Sequence, residues 1–171
     1  AGANAADPAP IDWSIDQNTL TARDAQEESF FSDGDEPYIA VIAFRSRFGQ
    51  VGSTQTAFLG GLKELHSGAD DGDSMGIPDS MGRSNFFDVT RLNGIDIISG
   101  KNPEIVGTVT VAMESDSTPF SAMNIGFREA ARVARREIAS VVETTTITQI
   151  IADPAAFEQK VTEMSNRLRK R

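Results

Sequence analysis

The sequence predicts an α+β fold: an antiparallel β-sandwich or curled sheet over roughly residues 13–115, followed by two C-terminal helices. Three observations carry this reading. Up to Met113 the apolar residues alternate with polar ones or form short continuous runs, as strands do. Beyond Thr118 they recur every three or four residues, as on one side of a helix. The two patterns are segregated along the chain, which argues against alternating βαβ units.

The elements follow in order. Residues 1–12 read as a flexible arm of small residues and prolines. Trp13, Ile15, Leu20 and Ala22 are interleaved with polar residues and suit an edge or half-buried strand. Asp33-Gly34-Asp35-Glu36-Pro37 is a turn cluster. The run Tyr38 to Phe44 is apolar throughout and rich in β-branched residues, which predicts a central strand buried on both faces. Thr54 to Leu59 fits a further strand. Residues 67–85 are rich in Gly and Asp and read as a long loop containing a short repeat, Asp73-Ser74-Met75-Gly76 and Asp79-Ser80-Met81-Gly82. Phe86 to Leu92 and Ile95 to Ser99 read as strands joined by an Asn93-Gly94 turn. Glu104 to Met113 is a strand with Ile105, Val109, Val111 and Met113 on one face.

Thr118-Pro119 then supplies a helix cap and a first-turn proline. Phe120, Met123, Phe127, Ala131, Ala134, Ile138 and Val141 form one apolar stripe, predicting a helix over 119–143 packed on the sheet. The Thr144–Thr148 run either continues this helix or leaves it as a strand. Asp153-Pro154 repeats the cap, and Phe157, Val161, Met164 and Leu168 predict an amphipathic helix over 154–171 with a basic tail. The organisation expected is one β-rich domain over 13–152 with the last helix as an appendage suited to packing on a partner.

Composition excludes several chemistries. The 171 residues contain no cysteine and one histidine, His66, so thiolate and multi-histidine metal sites are ruled out for this chain. The Gly-rich nucleotide loops and the His-Glu-x-x-His helix are missing. A formal net charge of −9 disfavours a surface built to bind nucleic acid. That charge is unevenly placed. Residues 1–90 carry 15 acids and 5 bases, whereas residues 91–171 carry 10 acids and 11 bases. The start Ala1-Gly2-Ala3-Asn4 resembles what remains after signal-peptide cleavage, which predicts an extracytoplasmic or secreted location.

Four groups of residues are candidates for function. Asp33, Asp35 and Glu36 precede the strand at Tyr38, and Glu114 and Asp116 follow the strand ending at Met113. If those strands are antiparallel, five carboxylates share one rim of the sheet. Crowded carboxylates raise one another's pKa unless a cation neutralises them, and calcium is the oxygen-seeking candidate. A solvated pair of turns is the plain alternative. A weaker metal cluster is Asp70, Asp71, Asp73 and Asp79. Neither cluster has EF-hand spacing: counting from Asp71 the twelfth position is Gly82, and from Asp33 it is Phe44. His66 lies beside Glu64, Ser67 and Asp70, but sequence neighbours seldom have triad geometry. Lastly, Arg128, Arg132, Arg135 and Arg136 share a helix face opposite much of the apolar stripe. They suit a partner or local ion pairs with Glu129 and Glu137.

Ser32-Asp33-Gly34-Asp35-Glu36-Pro37-Tyr38 with Met113-Glu114-Ser115-Asp116 resembles the calcium-dependent β-sandwich modules of the C2 type. The resemblance is confined to these residues, and the long C-terminal helices depart from a simple sandwich. It implies calcium held by loop carboxylates at one rim.

The reading that follows is a non-enzymatic structural or interaction protein. It would carry a calcium-binding acidic rim and associate with a protein partner or with itself, as a homo-oligomer, through its C-terminal helices. Two alternatives have sequence support. One is a secreted effector or toxin-like protein engaging a membrane surface through the amphipathic stretch Phe120–Val142. The other is a hydrolase using the rim carboxylates.

Overall fold

Strands dominate the described residues up to 114, and the long helices follow them. The computed structural model describes residues 8–23, 37–59, 65, 68–70, 72–114 and 120–169. Along them run β1 (Ile11–Asp16), β2 (Thr19–Thr21), β3 (Pro37–Arg47), β4 (Gln55–Leu59), β5 (Ser74–Gly76), α1 (Asp79–Gly82), β6 (Arg83–Val89), α2 (Gly94–Ile98), β7 (Glu104–Glu114), α3 (Phe120–Val142), α4 (Ile147–Ala152) and α5 (Pro154–Arg169). The fold is α+β, with antiparallel strands and a helical C-terminus.

β3 is the middle strand of a three-stranded sheet ordered β4–β3–β7. It pairs with β7 over eleven positions, from Pro37 opposite Glu114 to Arg47 opposite Glu104. Its continuous apolarity has a direct cause, since both faces are covered. Ala40 and Ile42, with the flanking Tyr38 and Phe44, pack towards Met123, Phe127, Ala134 and Ile138 of α3. Ile39, Val41 and Ala43 point the other way, towards Ile77, Met81, Phe86 and Val89. Full burial of each isoleucine, valine, phenylalanine or methionine among them stabilises by about 1.5–3 kcal/mol. β7 alternates as expected: Ile105, Val109, Val111 and Met113 join the helix-facing clusters, and Val106 joins the opposite one.

The far face is covered by two antiparallel ribbons, β1–β6 and β2–β5. Trp13 is opposite Phe86 and Ile15 opposite Ser84 in the first, and Leu20 opposite Met75 in the second. The stretch expected as one strand from Trp13 to Ala22 is therefore two short ones in different ribbons. A sheet covered by ribbons on one face and a helix on the other gives three layers around two apolar interfaces.

Three local expectations are corrected. The Asn93-Gly94 pair does not join two strands. β6 ends at Val89, and α2 starts after Asn93. Asn93 Oδ1 accepts the Asp96 N–H at 2.8 Å and Asp96 Oδ2 accepts the Asn93 N–H at 3.3 Å, a reciprocal cap that commits the segment to a helical turn. The 67–85 stretch is not all loop: it holds β5, α1 and the first residues of β6, anchored by the buried Met75, Ile77 and Met81. The threonine run neither extends the long helix nor forms a strand. Thr146 caps α4, so three helices follow the sheet instead of two.

Of the predicted stripe on α3, Met123, Phe127, Ala134, Ile138 and Val141 are buried, Phe127 fully, and Ala131 is partly buried; the Phe120 side chain lies outside the described residues. α5 lies along α3 with Phe157, Met164 and Leu168 partly buried against the same core, although none of its residues is fully buried. Asp153 Oδ1 accepts the Ala156 N–H at 3.0 Å, which confirms the cap before Pro154. Phe157 meets Phe48 edge-on at 5.8 Å, tying α5 to the β3–β4 turn. No described helix is long and apolar enough to cross a membrane.

Candidate functional site

The β3–β7 register carries the chain's polar residues to two opposite ends of the sheet. At one end Pro37 faces Glu114. This is the antiparallel arrangement that the acidic-rim expectation requires. Asp33, Asp35, Glu36 and Asp116, the Thr118-Pro119 cap and the Glu114 side chain lie outside the described residues, as do Asp71 and His66.

The remaining predicted residues are placed as follows. Asp70 and Asp73 close a turn on each other, the Asp70 N–H donating to Asp73 Oδ2 at 3.0 Å. Asp79 pairs with Arg83 at 2.8 Å. Among the described residues no three acidic or histidine side chains gather as a metal would need. The four arginines are exposed on α3, and each meets a neighbour in its own chain. Arg128 donates to Asn124 Oδ1 at 3.1 Å, and Arg132 makes two hydrogen bonds to Glu129 at 2.6 and 2.8 Å. Arg135 donates to the Thr54 carbonyl at 3.1 Å, and Arg136 reaches Glu137 at 3.5 Å. The local pairs expected with Glu129 and Glu137 are present. The apolar stripe of α3 is taken up by the sheet, so the side of this helix left to solvent is the arginine side, with Ile125 on it 69% exposed.

The other end of the sheet holds a site that sequence reading missed. Glu104, at the start of β7, has a side chain only 8% exposed. It accepts from Arg45 Nε at 2.7 Å and from the Thr90 N–H at 3.0 Å. Burial pushes its pKa up, but these hydrogen bonds and the Arg45 charge outweigh burial and hold it below the usual carboxylate value. Arg47, two residues beyond Arg45 on β3, lies 3.8 Å from the same carboxylate and donates to Thr90 Oγ1 at 3.0 Å.

Beside Arg47 is an open cleft of about 340 Å³, between the β3–β4 turn and the segment joining α2 to β7. Arg47, Gln50, Thr90, Leu92, Lys101 and Asn102 are among its lining residues, and none of the lining residues among the described ones is acidic. Its walls are fixed by backbone contacts. Phe48 N–H donates to the Pro103 carbonyl at 3.2 Å, and Gly49 N–H donates to the Val142 carbonyl at 3.0 Å. Gly49 takes φ +64°, a left-handed conformation that favours glycine, and a Cβ there would crowd Asn102 Nδ2 and Thr146 Cγ2, each 3.1 Å away. Asn102 Oδ1 accepts the Ile147 N–H at 3.0 Å, joining this wall to the start of α4. Among the described residues the lining contains no serine, histidine or carboxylate, and the hydroxyl of Thr90 already accepts from Arg47. The arrangement is equipped to hold a ligand and lacks a nucleophile–base pair.

No known protein family, curated protein or solved structure shows significant similarity to this chain.

Proposed function

We propose that this chain is a non-enzymatic interaction domain that assembles with copies of itself, the arginine face of α3 meeting the acidic strand half of a neighbour. The observation that carries this reading is the face itself: Ile125 stands exposed on the arginine side of a helix whose other side is buried. An exposed large apolar residue framed by long basic side chains is the composition of an interface anchor with a polar rim. The division of charge supports the choice of a second copy as partner, because the residues before 91 have an excess of acids that the later ones lack. Such a contact uses different surfaces on the two copies, so it propagates unless it closes into a ring.

Sedimentation velocity over a concentration series tests this at low salt and at about 0.5 M salt, where exposed charges more than a few Å apart are screened. Species larger than a monomer at low salt, reduced at high salt and absent in an Ile125→Asp, Arg128→Glu double variant, are the expected result. A monomer at every concentration and salt level rejects the proposal.

A second reading has one specific observation in its favour. The pairing of Pro37 with Glu114 brings the strand ends that adjoin the two acid-bearing segments to the same end of the sheet. We propose calcium as the ion such a rim would take. Calorimetry with calcium on the full chain and on Asp35→Asn tests it; no heat and no rise in melting temperature rejects it.

A further inference from the structure

We infer that the outer edge of β7 pairs, antiparallel and about a two-fold axis, with the β7 edge of a second copy of this chain. The inference goes beyond the assembly proposed above, since it uses a sheet edge and none of the α3 arginines.

The edge is open. β7 lies at the end of the β4–β3–β7 order, and among the described residues only β3 pairs with it. Pro37 shows which backbone groups face outward. It has no N–H, and its carbonyl accepts the Leu65 N–H at 2.9 Å, so Pro37 and Glu114 are a non-bonded pair of the ladder. Bonded and non-bonded pairs alternate between antiparallel strands. Val106, Thr108, Thr110 and Ala112 therefore turn their N–H and C=O groups away from β3. Those groups have no backbone partner among the described residues, and Thr110 and Ala112 are exposed.

The edge is also undefended. Proteins commonly blunt an edge by shortness, a charge, a proline or a bulge. β4, at the other edge of the sheet, has five residues, and β1 has a register shift between Ile11 and Trp13. β7 keeps register with β3 over eleven positions and has no charge or proline from Ile105 to Met113. An edge of this kind is a template for a further strand.

The β7 sequence identifies that strand as its own copy. Ile105-Val106-Gly107-Thr108-Val109-Thr110-Val111-Ala112-Met113 has the same residue classes in both directions about Val109, Gly107 excepted. A two-fold axis at Val109 sets that residue opposite its counterpart, Thr108 opposite Thr110, Val106 opposite Ala112 and Ile105 opposite Met113. The four outward-turned residues then face one another, and the side of each sheet that bears α3 continues into the same side of the other. Gly107 falls opposite Val111, and the Phe44 ring occupies the place of its missing side chain. The Thr108 and Thr110 hydroxyls are joined to the Gln17 side chain, so the pairing depends on backbone bonds and apolar contacts. The paired stretch is uncharged, so two chains of net charge −9 bring no like charges together within the ladder.

A contact confined to one strand edge is small and transient, so covalent capture reads it. The chain has no cysteine, and one introduced thiol reports alone. Opposed Cα atoms of a non-bonded antiparallel pair lie about 4.5 Å apart, within disulfide reach. In oxidised glutathione, Val109→Cys should form a linked dimer at least about tenfold faster than Val51→Cys. Val51, on the β3–β4 turn, is the more accessible position, at 85% exposed. Adding Thr110→Pro removes an outward N–H, leaves the bonds to β3 in place and should slow capture about tenfold. Should that variant fail to fold, Ala112→Lys serves the same purpose. Chains with Thr108→Cys and chains with Thr110→Cys, mixed, should link to each other faster than either links to itself, a check that does not depend on Val109→Cys. Ile125→Asp with Arg128→Glu should leave these rates unchanged, which separates this contact from the α3 assembly. Capture at Val109→Cys no faster than at Val51→Cys, capture insensitive to the edge variants, equal rates in the mixture, or loss of capture with the α3 substitutions overturns the inference.

Discussion

Arg167 on the last helix donates through Nε to Glu137 Oε2 on α3 at 2.6 Å, and Arg136 reaches the other oxygen of the same carboxylate at 3.5 Å. Glu137 is a buried acid in the C-terminal part of α3, and its pair with Arg167 ties α3 to α5. The hydrogen bond from Arg167, aided by the charges of Arg167 and Arg136, outweighs desolvation and holds Glu137 below the usual carboxylate pKa.

The pH dependence follows in sign. A carboxylate whose folded pKa is depressed adds stability above its unfolded-chain pKa, about 4.3, and loses that stability as pH falls through the lower folded value. Chemical denaturation between pH 7 and pH 3 should show the wild type losing more stability on acidification than Glu137→Gln. Arg167→Met should cost about 1 kcal/mol at neutral pH, since Arg167 is half exposed. In a chain of this size that lowers the melting temperature by roughly 2–4 °C.

Glu143, just past the end of α3, accepts the N–H groups of Gly52 and Thr54 at 2.7 Å each. Desolvation raises its pKa, but these bonds and the Arg135 charge prevail and lower it. Glu143→Ala leaves two backbone donors of the β3–β4 turn without their acceptor and should cost about 2 kcal/mol. Hydrogen exchange should quicken at Gly52 and Thr54 well before it does at Val41 or Ile42.

Gly82 closes α1 against the chain ahead of β2. Gln17 N–H donates to its carbonyl at 3.1 Å. A Cβ at Gly82 would lie 2.8 Å from Ile77 Cγ2 and would collide with the Gln17 carbonyl oxygen. Gly82→Ala must therefore shift backbone, and should cost about 1–3 kcal/mol in urea denaturation. Gly76→Ala meets open space and should cost far less.

Ser84 is fully buried opposite Ile15, and its hydroxyl is the one buried side-chain polar atom among the described residues without a hydrogen-bond partner. Removing such a hydroxyl relieves its desolvation penalty. Ser84→Ala should leave stability unchanged or raise it by up to about 1 kcal/mol. A loss larger than that in thermal unfolding would reveal a partner for the hydroxyl.

How much of this could be read from the sequence depends on whether a residue's partners lie nearby in the chain. Tyr38–Phe44 was legible because a strand covered on both faces needs no polar alternation. The α3 stripe was legible because its period is set by one helix. The repeated Asp-Ser-Met-Gly shows the opposite case: its first copy supplies strand β5 and its second is helix α1, although both methionines are buried. Tertiary contacts of Met75 and Met81 decide the conformation there, and local propensity does not. Asn93-Gly94 misled because its turn signal competes with a cap that depends on Asp96. The cleft was illegible for a topological reason. Arg47, Thr90 and Asn102 meet only because β3 and β7 pair from Arg47–Glu104 onwards.

That same ladder governs the order of events as the chain acquires its fold. Each of its eleven pairs joins residues far apart in sequence, so β3 stays without its long neighbour until β4, β5 and β6 have been traversed. Closing such loops costs entropy before any contact compensates, which makes pairing of this kind slow. During synthesis β7 emerges ahead of α3, and until that helix follows, Ala40 and Ile42 have nothing to cover them. Between sheet closure and helix docking the open face of β3 favours misassociation, and like charge on the acidic first half opposes it between neighbouring nascent copies.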